Sequence, residues 1–179
     1  MKQFYMDTNV YISALKPDDP YHSPSKTIIT ALERNELHAQ TSVLTLLEVA
    51  SASARAYATK KGHKDQKERR IFMLRTLQRL AALKVKFINI TGDTRSSIRG
   101  IEAILPSVFN QAILLSLRST LKTLDLIHLA AAKHAKQLND ELDAFVTGDK
   151  ALLSNKKELS EIMKIPILSP AEYADALRI

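Results

Sequence analysis

Lys2-Gln3-Phe4-Tyr5-Met6-Asp7-Thr8-Asn9-Val10 is the stretch on which the reading of the fold turns. Phe4, Tyr5 and Met6 form a short apolar run suited to a buried strand, and Asp7 falls where that strand should end. In open α/β sheets, ligands bind beyond the carboxyl ends of the strands, so an acid at this place is a candidate site residue. The same Asp would also serve to cap the next helix or to open a turn. The rest of the chain decides between these readings by the partners it supplies.

A second stretch mirrors the first. Ala144-Phe145-Val146 is a compact apolar strand, and it ends in Thr147-Gly148-Asp149-Lys150, a hydroxyl and a carboxylate. Between the two, β and α signals alternate. After Asp7 a short segment to Leu15 meets the turn Lys16-Pro17-Asp18-Asp19-Pro20. Ser23-Pro24 opens a helix to about Glu36, and Leu37 to Thr41 reads as a second strand. Ser42 caps a helix that carries Glu48. A polar, basic region from Ala58 to Arg70 leads into a helix from about Asp65 to Leu83, which together predict an αα-hairpin with a basic tip. Lys86 to Ile90 alternates as a third strand. Helices are expected over about Thr94 to Leu105 and from Ser107 to about Ser119. A further helix begins at Thr123 with Asp125 in its first turn. After Asp149 the sequence predicts a short helix, a lysine-rich turn, a strand at Ile165 to Leu168 and a helix from Ser169-Pro170 through Leu177.

This order predicts a three-layer α/β/α fold with a central, mostly parallel five-stranded sheet, as one domain over 1–179 extended by a helical region at about 58–110. The 179 residues and 45% hydrophobic content suffice for one core. With no Cys there is no disulfide, thiolate metal site or Cys nucleophile, which fits a reducing cytoplasm. Asp7 breaks the first apolar run too early for a signal peptide, and no apolar stretch reaches the roughly 18–20 residues of a membrane span. The net charge of +7 makes a polyanionic partner reasonable. Lys60, Lys61, Lys64 and Arg69 are candidate contacts to a phosphate backbone, although a basic helix face is usually only solvated.

Asp7 and Asp149 both follow parallel strands and so emerge at the same sheet edge. Glu48 and Asp125 lie in the first turns of helices. Each has an ordinary reading: Glu48 on the polar seam of an amphipathic helix, Asp125 as an acid favoured by the helix dipole. If those helix starts face the same edge, four carboxylates converge, and they repel one another unless a cation compensates them. All-oxygen ligands suit Mg²⁺ or Mn²⁺ rather than Zn²⁺. Such an ion stabilises phosphoryl charge and lowers the pKa of a bound water.

Met6-Asp7-Thr8-Asn9-Val10, Leu46-Leu47-Glu48-Val49, Leu124-Asp125-Leu126-Ile127-His128-Leu129-Ala130-Ala131-Ala132 and Phe145-Val146-Thr147-Gly148-Asp149-Lys150 resemble, in this order, the four acidic motifs of PIN-domain ribonucleases, most closely the VapC-like toxins of toxin–antitoxin pairs. The resemblance implies Mg²⁺- or Mn²⁺-dependent cleavage of RNA. It places Asp7, Glu48, Asp125 and Asp149 in the acidic metal and catalytic site, with Thr8, Asn9 and Thr147 shaping it, and it implies a small antitoxin and a homodimer as partners. It covers most of the chain except about Ala58 to Asn110. The competing reading is a PIN-like module that binds RNA or protein without cutting. A haloacid-dehalogenase-type phosphatase would need an Asp where Asn9 stands, and neither a P-loop nor a G-x-G-x-x-G motif occurs. His128, lacking a second Glu-x-x-His motif to make a di-iron site, reads as a packed or surface histidine.

Overall fold

The structure, a computed structural model, describes residues 3–61, 65–89, 93–98, 101–139 and 142–178. Strand β1 (Gln3–Met6) lies at the centre of a five-stranded sheet. It pairs in parallel with β2 (His38–Ser42) on one side and with β6 (Leu142–Val146) on the other. The outer strands β3 (Val85–Ile88) and β7 (Ile167–Leu168) add in parallel to β2 and β6, giving the order β3-β2-β1-β6-β7. The chain first builds away from β1 through β2 and β3, then returns to its other side with β6. The switch point therefore falls between β1 and β6, where an open α/β sheet places its ligand crevice.

Alternation along β1 divides the core into two layers, because successive side chains point to opposite faces of a strand. Phe4 and Met6 pack with Val146, with α1 (Thr8–Ala14), α2 (His22–Glu33) and α9 (Pro170–Leu177), and with Val49 and Leu80 of the hairpin helices α3 (Leu44–Lys61) and α4 (Gln66–Ala82). Tyr5 points the other way. It packs with Phe145 and with α5 (Ser107–Ser116), α6 (Thr123–Asn139), α7 (Lys150–Ser154) and α8 (Lys156–Met163). Phe4, Tyr5 and Met6 are fully buried, which explains why β1 reads as a continuous apolar run. Burial of each such side chain contributes about 2 kcal/mol. Ala130, Ala131 and Ala132 are also fully buried, and their small size brings α6 close to the sheet.

The αα-hairpin forms as expected, with Asp65 capping α4 through a hydrogen bond from Glu68 N–H at 2.9 Å. Tyr57 and Phe72 pack across the two helices, and Tyr57 Oη donates to Glu68 Oε2 at 2.6 Å. The helix expected over about Thr94 to Leu105 is not there. That segment is an antiparallel hairpin of β4 (Asp93–Ile98) and β5 (Ile101–Pro106), with Thr94 opposite Leu105. Its β-branched residues Thr94, Ile98, Ile101 and Ile104 favour strands, and Ser96 and Ser97 are weak helix formers. The extension over about 58–110 is thus helical only in part. The lysine-rich turn expected after α7 is also replaced, by helix α8, which buries Leu159 and Met163 at helical spacing. The C-terminal helix starts as expected: Ser169 and Glu172 exchange side-chain and backbone hydrogen bonds in a capping box, with Pro170 at the first helical position. Among the described residues no helix is long and apolar enough to cross a membrane.

Candidate active site

Asp7 leaves the end of β1 at the switch point. Its backbone N–H donates to Val146 C=O at 3.0 Å, which ties the two loops that leave β1 and β6. Asp7 occupies the N-cap position of α1, yet its side chain makes no capping bond there. Instead Oδ2 accepts from Thr147 Oγ1 and from Asn9 Nδ2, each at 2.6 Å, while Oδ1 stands 3.9 Å from His128 Nε2. The carboxylate is therefore held by the side chains of Asn9 and Thr147 and not as a cap of α1.

The loop after β6 is built onto the same residues. Thr147 is fully buried, and its hydroxyl also accepts from Asn9 Nδ2 and from Asp149 N–H, both at 3.0 Å. Asn9 returns the contact, its Oδ1 accepting from Gly148 N–H at 2.6 Å. The loop crowds Gly148: a Cβ there would meet the Tyr21 ring at 3.0 Å. Asp149 does cap a helix, Oδ1 accepting from the backbone of Ala151 and Leu152 at the start of α7. Asp149 thus serves as a helix cap while its side chain also lines the cleft.

Glu48 is reached through α3. Val49 is buried against the sheet while Leu47 is exposed, and this orientation sets Glu48 beside Thr8 and His128. Glu48 Oε2 accepts from the Thr8 hydroxyl and from His128 Nε2, the latter at 2.7 Å. Burial opposes the Glu48 charge, but the hydrogen bonds from His128 and Thr8 and the charge of His128 outweigh it and hold the carboxyl below its ordinary value. For His128, burial opposes protonation, and Glu48 with Asp7 reverses that and raises its pKa. Beneath them Thr8, Thr45 and Thr41 link hydroxyl to hydroxyl at 3.0 and 2.7 Å, ending on Met6 C=O at 2.7 Å.

Asp125, in the first turn of α6, completes the group. All four acids line one cleft of about 520 Å³, together with Thr8, Asn9 and His128. Burial, Asp149 and Asp7 push the Asp125 carboxyl up to about 6. Burial likewise pushes Asp7 up, with Glu48 adding to it against the pull of His128 and Thr147. The acids therefore crowd one another electrostatically. Among the described residues, no three Asp, Glu or His side chains are drawn together as a ready set of metal ligands. The chemistry of the donors still suits a hard divalent cation, being carboxylate oxygens around one opening in a chain without cysteine.

Three residues of this site escape a reading by motif. His128 is buried and central rather than merely packed, and Tyr5 binds it from within the core at 2.8 Å. Arg55, hydrogen-bonded to Ser51 at 2.6 Å, brings a cation to the cleft. The spacing of Asp125 and His128, three apart on one helix face, is the signal that could have drawn His128 in. Of the basic candidates, Arg69 is half-buried on α4 and does not line the cleft. Lys64 and the side chains of Lys60 and Lys61 lie outside the described residues.

Residues 3–151 match the family model of the PIN domain, a span that contains all four acids. A comparison with curated proteins found no match. PIN domains are generally nucleases, bind RNA and typically use divalent metal ions. Fold, cleft and matched sequence agree, and the chain belongs to the PIN domain family.

Proposed function

We propose that the protein is a divalent-metal-dependent endoribonuclease that hydrolyses RNA phosphodiester bonds, with Mg²⁺ or Mn²⁺ as its cofactor. One observation carries this reading: Asp7, Glu48, Asp125 and Asp149, from four separate motifs, line a single cleft at the switch point of the sheet. Asp7, Asp125 and Asp149 would hold the cation, whose charge would relieve the repulsion that raises Asp125. Bound there, the ion supplies phosphoryl charge neutralisation and a water of lowered pKa. Thr147 and Asn9 keep the Asp7 carboxylate aimed, and Thr8 bonds Glu48. Glu48, kept ionised, accepts the hydrogen bond of the attacking water. The water oxygen bonds to phosphorus, one bridging P–O bond breaks, the water's proton passes to solvent and the leaving oxygen is protonated.

We further propose that residues 1–179 act as one PIN-like unit in the cytoplasm, as the toxin of a toxin–antitoxin pair. Lys60, Lys61, Lys64 and Arg69 would contact the RNA backbone. Ile71, Phe72 and Leu74, large apolar residues exposed on α4, support a protein partner, either a small antitoxin or a second copy. The competing reading is a PIN-like module that binds without cutting, and it draws on the lack, among the described residues, of three side chains already gathered as metal ligands. The test is cleavage of labelled RNA with Mg²⁺ or Mn²⁺, beside EDTA and Asp7→Asn. Cleavage that EDTA and Asp7→Asn both abolish is the expected result. Activity surviving Asp7→Asn refutes the metal-nuclease reading, and absence of both cleavage and metal binding favours the binding module.

A further inference from the structure

A hydrogen-bonded chain runs from the middle of the sheet to the cleft, and its proton order can be read link by link. Ser42 N–H donates to Tyr5 Oη at 3.1 Å. A tyrosine hydroxyl that accepts one bond still has its own O–H to give. It can therefore donate to His128 Nδ1, 2.8 Å away. A neutral imidazole that accepts on Nδ1 carries its proton on Nε2, and protonation of the ring leaves that Nε2–H in place. Nε2 lies 2.7 Å from Glu48 Oε2, so the N–H points at the carboxylate. Tyr5 is fully buried and His128 nearly so, while the Glu48 side chain keeps 24% of its surface at the cleft. The dry end of the chain is thus anchored to backbone, and its open end is a catalytic carboxylate.

We propose that His128 is a positioning residue: with its tautomer set by Tyr5, it holds the Glu48 carboxylate in one orientation at the cleft. The part this plays in catalysis rests on the nuclease reading above. A histidine that only filled space would not need both ring nitrogens occupied by residues 123 and 80 positions away in sequence. Glu48 itself is a flexible side chain on one helix. Without the fixed donor it would sample other rotamers and lose its preorganised place. Supporting contacts of this kind typically change activity by about 10- to 100-fold.

The test uses the full chain, a labelled RNA oligonucleotide and Mn²⁺, with circular dichroism to confirm that each variant is folded. Tyr5→Phe and His128→Ala are expected to lower kcat by about 10- to 100-fold, with KM changed by less than about threefold. His128→Gln, which keeps an N–H donor, should recover part of the loss. In the Glu48→Gln background, His128→Ala should add nothing further, because the contact it serves is already altered. Losses that multiply in that cycle, or a folded His128→Ala with wild-type kcat, overturn the positioning role. A measurement independent of cleavage is ¹⁵N NMR of the metal-free protein at about pH 9, well above the ordinary histidine pKa. The expected state of His128 is the Nε2–H tautomer, and an Nδ1–H tautomer overturns the proposal whether or not RNA is cut. A wild type that cuts no RNA yet shows Nε2–H sinks the nuclease reading alone and leaves the Tyr5–His128–Glu48 chain standing.

Discussion

Thr147→Val tests whether the acidic site is held together by one buried hydroxyl. Thr147 Oγ1 donates to Asp7 Oδ2 at 2.6 Å and accepts from Asn9 Nδ2 and Asp149 N–H at 3.0 Å. Valine keeps the shape of threonine and removes all three contacts. The cost is less than three bonds, because Asn9 Nδ2 still has Asp7 Oδ2 at 2.6 Å and Asp149 N–H is only partly buried. The main loss is the bond to the carboxylate, and a hydrogen bond to a charged group contributes about 1.5–3 kcal/mol. Thr147→Ser keeps the hydroxyl and loses one methyl, about 0.8 kcal/mol. Since the chain has no Trp, urea and thermal unfolding in EDTA are best followed by circular dichroism. The expected loss for Thr147→Val is about 2–3 kcal/mol, which for a chain of this size lowers Tm by about 4–12 °C. The Asp7 pKa should rise further, since a donor that lowers it is gone. A Val variant within about 0.5 kcal/mol of the Ser variant would show that the hydroxyl does not hold the site together.

Further outcomes concern charge and caps. The Asp125 carboxyl, pushed up to about 6 from 3.8 by burial, Asp149 and Asp7, is harder to ionise in the folded chain than in the unfolded one. The metal-free protein should therefore lose stability as pH rises from about 4 to about 6, and Asp125→Asn should flatten that slope; equal slopes in EDTA would refute the crowding. Charge reversal at Lys60, Lys61 and Lys64 should weaken RNA binding and reduce the salt slope by at least about two, whereas an unchanged slope by filter binding would show a merely solvated tip. Ser169→Ala should cost about 1 kcal/mol in urea unfolding through loss of the capping box on α9; no change would mean the helix start is held by packing alone.

The sequence exposed what depends on local pattern. Asp7 and Asp149 stood out because an apolar strand followed by a small polar turn is a local signal, and the helix start at Ser169-Pro170 was legible for the same reason. Glu48 was ambiguous because Leu47 and Val49 flank it equally, and only packing of Val49 on the sheet decides which face turns to the cleft. His128 could not be placed from its own helix, since its partners are Tyr5 and Glu48, on other elements far away in the chain. The hairpin of β4 and β5 was read as helix because its polar residues obscure the alternation that strand pairing makes plain.

Tyr5 serves two masters in a strand of four residues. Its ring stacks on Phe145 at 5.1 Å with planes 7° apart, as core. Its hydroxyl is the inner link of the path to Glu48. A substitution that repacks the Tyr5–Phe145 layer is therefore transmitted to the cleft through two hydrogen bonds, without touching a single acidic residue. The side chains of Phe4 and Met6 point to the opposite face and take no part in that path. A screen for thermal tolerance should divide β1 by parity: gains at Phe4 and Met6 would leave cleavage intact, and gains at Tyr5 would be traded against it. On the nuclease reading, any compromise between rigidity and turnover would then fall on one face of the central strand.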